Sequence, residues 1–344
     1  MPELSSADLV AAVLVLSLNA YVLLGGADFG GGVWDLVSTG PRRHRQRELI
    51  AEAIGPIWEA NHVWLILAVV LLFTCFPAVF ARLGVVLHLP LTLMLIGIVL
   101  RGSAFTFRTY ESRDDAVQRR WGRVFAIASV ITPVLLGVCI GAVASGRVGA
   151  PAPAPDFRTG YVDPWLAPFP VAVGLLALAL FAFLAAVYLT VEASGESELQ
   201  EDFRRRALAA GGAVFLIAWL ALALAPDGAP RISRGLLGSR WALPFHLVTG
   251  AAAAGALWAV WTRRFRLARV AAAAQVSCIV WGWAASQYPY ILPPGTTIRN
   301  AAAPPATLRL VLVALAVGAV VLLPSLYYLF RIFKGRGGAA FAAV

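Results

Sequence analysis

Five consecutive residues, Trp58-Glu59-Ala60-Asn61-His62, place four polar or amphipathic side chains in about a turn and a half of an otherwise apolar stretch. Glu59 and His62 are three residues apart and Trp58 and His62 four, spacings that put them on one face of a helix. A carboxylate beside an imidazole, with Asn61 nearby, can relay a proton because histidine titrates near neutrality. The same groups can instead act only as a polar clasp between helices. A second group lies upstream in Gly25-Gly26-Ala27-Asp28-Phe29-Gly30-Gly31-Gly32, followed by Trp34 and Asp35. The glycines allow close backbone approach and loosen helical geometry, so this segment is expected to be tilted or unwound. Asp28 either bonds to a neighbouring helix or stands in a proton or ion path. A third group is Arg101-Gly102-Ser103-Ala104-Phe105-Thr106-Phe107-Arg108. Arg101 and Arg108 either snorkel to the headgroups, or Arg101 pairs with Asp28 or Glu59.

The elements that must position these groups follow from composition. Of 344 residues, 60% are hydrophobic and 13% charged, with mean hydropathy +0.78. A soluble domain carries about 25% charged residues, so this chain could not cover its surface with polar groups. Soluble enzymes, disordered chains and disulfide scaffolds are excluded. A spanning helix needs about 20 apolar residues, and nine segments qualify: 8–37, 56–80, 83–107, 121–145, 169–192, 207–226, 241–262, 267–287 and 308–333. The weakest separation, Pro77 to Arg82, falls between the second and third. The expected fold is all-α, a single integral-membrane domain over residues 1–344.

The net charge of +10 is distributed as membrane topology requires. With the N-terminus outside, 20 of the 28 Lys and Arg residues fall towards the inner side and eight towards the outer. That split favours nine spans with the C-terminus cytoplasmic. Arg42-Arg43-His44-Arg45-Gln46-Arg47 directly follows a span and is topogenic, so no nucleic acid is expected as a partner. The acidic start Met-Pro-Glu-Leu-Ser-Ser-Ala-Asp lacks a basic n-region, so no cleavable signal is expected. Cys75, Cys139 and Cys278 each stand alone in an apolar segment, without metal-ligand spacing. His88 and His246 are isolated near outer helix ends, and Met1 and Met94 are the two methionines. A subunit carrying several haems would need more axial ligands. The run Trp281 to Tyr290 fits an interfacial aromatic belt ended by Pro293-Pro294.

Four stretches together resemble subunit II of the cytochrome bd-type terminal oxidases. They are Gly26-Ala27-Asp28-Phe29-Gly30, Pro56 to Ile66, Arg101 to Arg108, and Tyr288-Pro289-Tyr290-Ile291-Leu292-Pro293 with Asn300-Ala301-Ala302. The resemblance implies two four-helix bundles plus one peripheral helix, and a partner, subunit I, holding haems b and d that reduce oxygen to water. It also implies that subunit II binds no haem itself, supports the haem subunit and helps bring in protons from the cytoplasm. The electron donor would be quinol or a cytochrome, with membrane lipids, a small accessory subunit and a bound quinone as further expected company. The proton-path residues so implied are Glu59, His62, Asp28, Asn61 and Trp58, with Arg101 and Arg108 as ion-pair residues. The chain departs from the family pattern at Gly25, where an acid is common, and at Ala27, where Phe is. It also departs at Ala60 for Gly, His62 for Gln or Glu, and Thr106 for a carboxylate. Glu59 keeps the expected acid, and His62 offers a substitute for the one missing at Thr106.

Two readings from other classes compete. A stand-alone proton- or ion-coupled secondary transporter would use buried acids and a glycine-broken first helix. A purely structural subunit would use the polar groups only to hold helices together.

Overall fold

The computed structural model describes residues 5–55, 58–110, 115–150 and 156–334. Among these, nine helices are long and apolar enough to cross a membrane. The first, α1 (Ser6–Leu36), opens on a reciprocal cap in which Ser5 Oγ accepts from the Asp8 amide and Asp8 accepts from the Ser5 amide. It runs 31 residues without a break through Gly25–Gly32, which corrects the expectation of an unwound segment. The glycines serve close packing instead. A methyl group on Gly30 would strike the Phe181 carbonyl, and one on Gly32 would strike Ser129, so neighbouring helices approach at those points without bending α1.

A short amphipathic helix, α2 (Arg43–Ile54), follows, so the basic cluster assigned to a loop is largely helical. Next come α3 (Trp58–Cys75), α4 (Pro77–Val86) and α5 (His88–Tyr110). Pro77 at the first turn of α4 ends the second span and starts a separate ten-residue helix. The weak separation at Pro77–Arg82 is therefore itself helical, and the break between the second and third spans is the whole of α4. Helix α6 (Asp115–Ala144) and the five-residue α7 (Phe157–Tyr161) lead to α8 (Pro168–Glu192), α9 (Ser197–Gly228) and α10 (Pro230–Gly238). Helices α11 (Ala242–Trp261) and α12 (Phe265–Gln287) precede a small hairpin of β1 (Tyr290–Leu292) and β2 (Thr296–Thr297), and α13 (Pro305–Lys334) closes the chain.

Helices α1, α3, α5 and α6 form one packed group and α8, α9, α11 and α12 another. Contacts of α1 and α6 with α8 join them, and α8 is accordingly buried along much of its length. Helix α13 packs only lightly on α1 and α3 and leaves nearly its whole apolar surface exposed. The expected all-α membrane fold is thus present, with α13 at its edge.

The two ends differ in chemistry. At the basic end Arg42 bonds both Asp202 oxygens, at 2.8 and 2.7 Å, and reaches Glu198 at 2.9 Å. Gln46 donates to Asp202, Arg206 donates to Gln46, and Arg45 pairs with Glu196 at 2.7 Å. The cluster thus fastens α2 onto the segment opening α9, beyond any role in topology. At the opposite end Arg299 clamps Asp8 at 2.9 Å, and Arg231 covers the Tyr290 ring at 3.9 Å.

Candidate functional site: a buried polar cluster

Asp28 sits on the inward side of α1 and is 5% exposed. It lies eight residues before the end of the helix, about 12 Å along the axis at 1.5 Å per residue. Asn61 of α3 donates to its Oδ2 at 2.6 Å. That bond places the amide and the carboxylate at one level between two spans, where water cannot solvate either freely. Asn61 Oδ1 is buried without a protein hydrogen-bond partner.

Arg101 of α5 does not snorkel. It is 2% exposed, its Nε donates to Ser129 Oγ at 3.1 Å, and that hydroxyl donates to the Phe125 carbonyl. The guanidinium stacks 4.6 Å from the Phe29 ring centre and 5.1 Å from that of Phe125. Asp28 attracts it electrostatically. Burying a guanidinium costs several kcal/mol, and a nearby carboxylate and aromatic faces offset part of that cost. The Arg108 side chain lies outside the described residues.

Glu59 and Asn61 of α3 face in different directions. Successive residues are 100° apart around a helix, so Glu59 and Asn61 stand about 200° apart. Asn61 turns inward to Asp28, and Glu59 is exposed on the outside of the chain. His62 falls between the two directions, half-buried among Tyr21, Phe29 and Trp58, with ring centres 5.9, 6.2 and 6.0 Å away. Trp58 and His62 therefore do meet, and Glu59 belongs to a different surface.

A cavity of about 60 Å³ adjoins the cluster, with room for a few water molecules. Asp28 and Asn61 line it, as do Tyr188 and Glu192 of α8 and Arg269 of α12. Pockets that bury a drug-sized ligand run to roughly 300–1,000 Å³, so this one suits water and protons and is too small for a quinone ring. Sequence reasoning missed Tyr21, Ser129, Glu192 and Arg269. Tyr21 stands seven residues before Asp28, a spacing that repeats a helix face, and was legible in principle. Glu192 and Arg269 looked like ordinary charges at span ends, and only the packing of α8 and α12 against α1 brings them to the cavity. No cluster of His, Cys, Asp and Glu fit for a metal ion occurs among the described residues.

Nine apolar spans among the described residues, with an acid hydrogen-bonded to an amide between helices and a guanidinium buried among the same helices, define an integral-membrane protein with a charged interior. The chain belongs to the cytochrome bd terminal oxidase subunit II family, whose model matches residues 6–333. It is 22% identical over 347 residues to a Bacillus subtilis protein provisionally named a cytochrome bd menaquinol oxidase subunit II, with 96% of each chain covered. It is 27% identical over 210 residues to the Escherichia coli cytochrome bd-I ubiquinol oxidase subunit 2, covering 60% of this chain and 53% of that one. Its fold matches a chain of the bd oxidase structure from Geobacillus thermodenitrificans with a TM-score of 0.79, at 24% identity over 95% of this chain and 98% of the other. The protein is accordingly a multi-pass subunit of a terminal oxidase complex in the bacterial cytoplasmic membrane, working with other oxidase subunits. Nothing in these relationships supports the transporter reading.

Proposed function

We propose that this chain is the proton-supplying, haem-free subunit of the oxidase, with Asp28 as its central proton-carrying group. The observation that carries the reading is the position of Asp28: a carboxylate inside a span, held by Asn61 and bordered by a cavity that reaches charged groups at the basic end. By the excess of Lys and Arg in its loops, that end is the cytoplasmic one. Arg101 stabilises the Asp28 carboxylate, and Trp58 and His62 close the cluster on the α3 side.

Glu59 takes a different part. A carboxylate on the outer surface of an apolar helix is costly against lipid, and covering by the haem-bearing subunit I removes that cost. Glu59 then stands at the contact between subunits, where it passes protons on or fixes the partner. Haems b and d belong to subunit I in this reading. The four histidines here lie on four different helices or at their ends. His88 and His246 engage the Val85 and Leu236 carbonyls, and His62 is enclosed by aromatic rings. That donor set does not fit a haem held between two axial ligands. Quinol is the proposed electron donor, and a quinone bound to the complex would sit outside the small cavity beside Asp28.

The test is oxygen uptake by the assembled complex carrying Asp28→Asn. The reading expects slow turnover with an unchanged haem spectrum, and wild-type turnover would contradict it.

A further inference from the structure

The cavity beside Asp28 has a second end that the proton-supply reading leaves without a role. Three titratable groups besides Asp28 line it: Tyr188 and Glu192 of α8 and Arg269 of α12. Helix α2 contributes only apolar side chains, and α3 contributes Asn61. Glu192 is the last residue of α8, half-buried, next to the turn that precedes the acidic and basic network of α9. Arg269 stacks over the Tyr188 ring at 5.0 Å, which holds its charge at the cavity wall. At the inner end Asn61 lines the same space beside Asp28, to which its amide donates. A cavity of this size, bordered by Asp28, Glu192 and Arg269, has room for water.

We propose that Glu192 is the proton-collecting carboxylate at the mouth of this cavity and that Asp28 receives its protons through water held there. The inference rests on the proton-supply reading above. Glu192 takes a proton from the basic-end solvent and becomes a neutral acid. It gives that proton to a cavity water, which releases one of its own to the Asp28 carboxylate. Only O–H bonds form and break, Glu192 returns to its ionised state, and one proton has moved. The Arg269 cation keeps the mouth from accumulating negative charge and draws the Glu192 carboxylate back to its starting state.

The test uses the complete oxidase complex, with oxygen uptake measured across pH for wild type, Glu192→Gln, Glu192→Asp and Asp28→Asn. The expected result is an intact haem spectrum and a rate about tenfold lower for Glu192→Gln at alkaline pH. The loss should shrink towards acid pH, where protons are abundant, and Glu192→Asp should run between Gln and wild type. A wild-type rate and profile for Glu192→Gln beside a slow Asp28→Asn overturns the role of Glu192 and leaves the proton-supply reading standing. Wild-type behaviour of both variants overturns both. A loss for Glu192→Gln that is equal at every pH marks a structural role and also overturns the proposal. Should Glu192→Gln fail to assemble, the Asp variant decides: an unchanged alkaline limb contradicts the inference and a lowered one supports it.

Discussion

Asn61 and Asp28, 33 residues apart, are joined by a 2.6 Å hydrogen bond that ties α3 to α1 inside the membrane-spanning part of the chain. The bond is charge-assisted, shorter than a neutral amide contact and correspondingly stronger. Replacing Asn61 by alanine removes the donor and leaves the carboxylate short of a partner. The expected cost is about 1–3 kcal/mol of stability, seen as a lower melting temperature of the purified complex. An Asn61→Asp variant should be worse, because it sets two carboxylates side by side.

Arg101 offers a sharper stability test. It is fully enclosed between Phe29, Phe125 and Ser129 and neutralises charge in its surroundings. Arg101→Gln should cost roughly 3 kcal/mol or more, since breaking a buried pair strands the remaining charge. Pairing it with Asp28→Asn should recover part of the loss, and a double-mutant cycle on thermal unfolding measures the coupling. Additive effects would show that the two groups do not interact.

The glycine run is predicted to fail by collision. Gly30→Ala drives a methyl group into the Phe181 backbone carbonyl, which cannot rotate away. The two bundles meet at this contact, so the variant should lower the yield of assembled complex and cost about 1–3 kcal/mol. Gly40→Ala, whose site is open, disturbs only a turn with φ of +79°. Its effect should be smaller and confined to local stability. Comparing detergent-extracted yields and melting temperatures of the two variants checks the order.

These contrasts also explain how much was legible in the sequence. The nine apolar spans follow from apolar length, because lipid imposes it directly, whereas the two-bundle plan came only from the resemblance carried by four motif stretches. Asp28, Asn61 and Arg101 stood out in the sequence from the expense of polar groups in spans. Their partners did not. Residue spacing put Trp58, Glu59 and His62 on one face, and in α3 Trp58 and His62 do meet while Glu59 is exposed and Asn61 turns in to Asp28. The glycines signalled close approach correctly and unwinding wrongly, because hydrogen bonds within α1 continue unbroken through them. Ser129, Tyr188 and Arg269 become neighbours of the site only through contacts between distant helices, which local pattern does not encode.

The network at the basic end predicts a pH dependence. Arg45 hydrogen-bonds Glu196 and holds its carboxyl below the usual carboxylate value. Because that folded-state value is depressed, the contribution is present above the unfolded carboxylate pKa and is lost as pH falls through the lowered one. Melting temperature should therefore fall on acidification more steeply in wild type than in Arg45→Gln. Identical acid limbs for the two proteins would remove this pair from the account.

Glu59 separates interface from interior. Glu59→Gln should slow oxygen reduction by about tenfold or more if the exposed carboxylate transfers protons at the contact with subunit I, with the haem spectrum retained. A variant that assembles and turns over normally would leave Glu59 only as a surface group covered by the partner.

The central claim is that Asp28 carries protons from the basic end of this subunit to the oxygen-reducing partner. Its most direct test is proton uptake from the cytoplasmic side during a single turnover of the tagged, co-purified complex, comparing wild type with Asp28→Asn. The account predicts that haem content is unchanged while proton uptake and oxygen reduction slow together in the variant. Uptake at the wild-type rate in a fully assembled Asp28→Asn complex would contradict it.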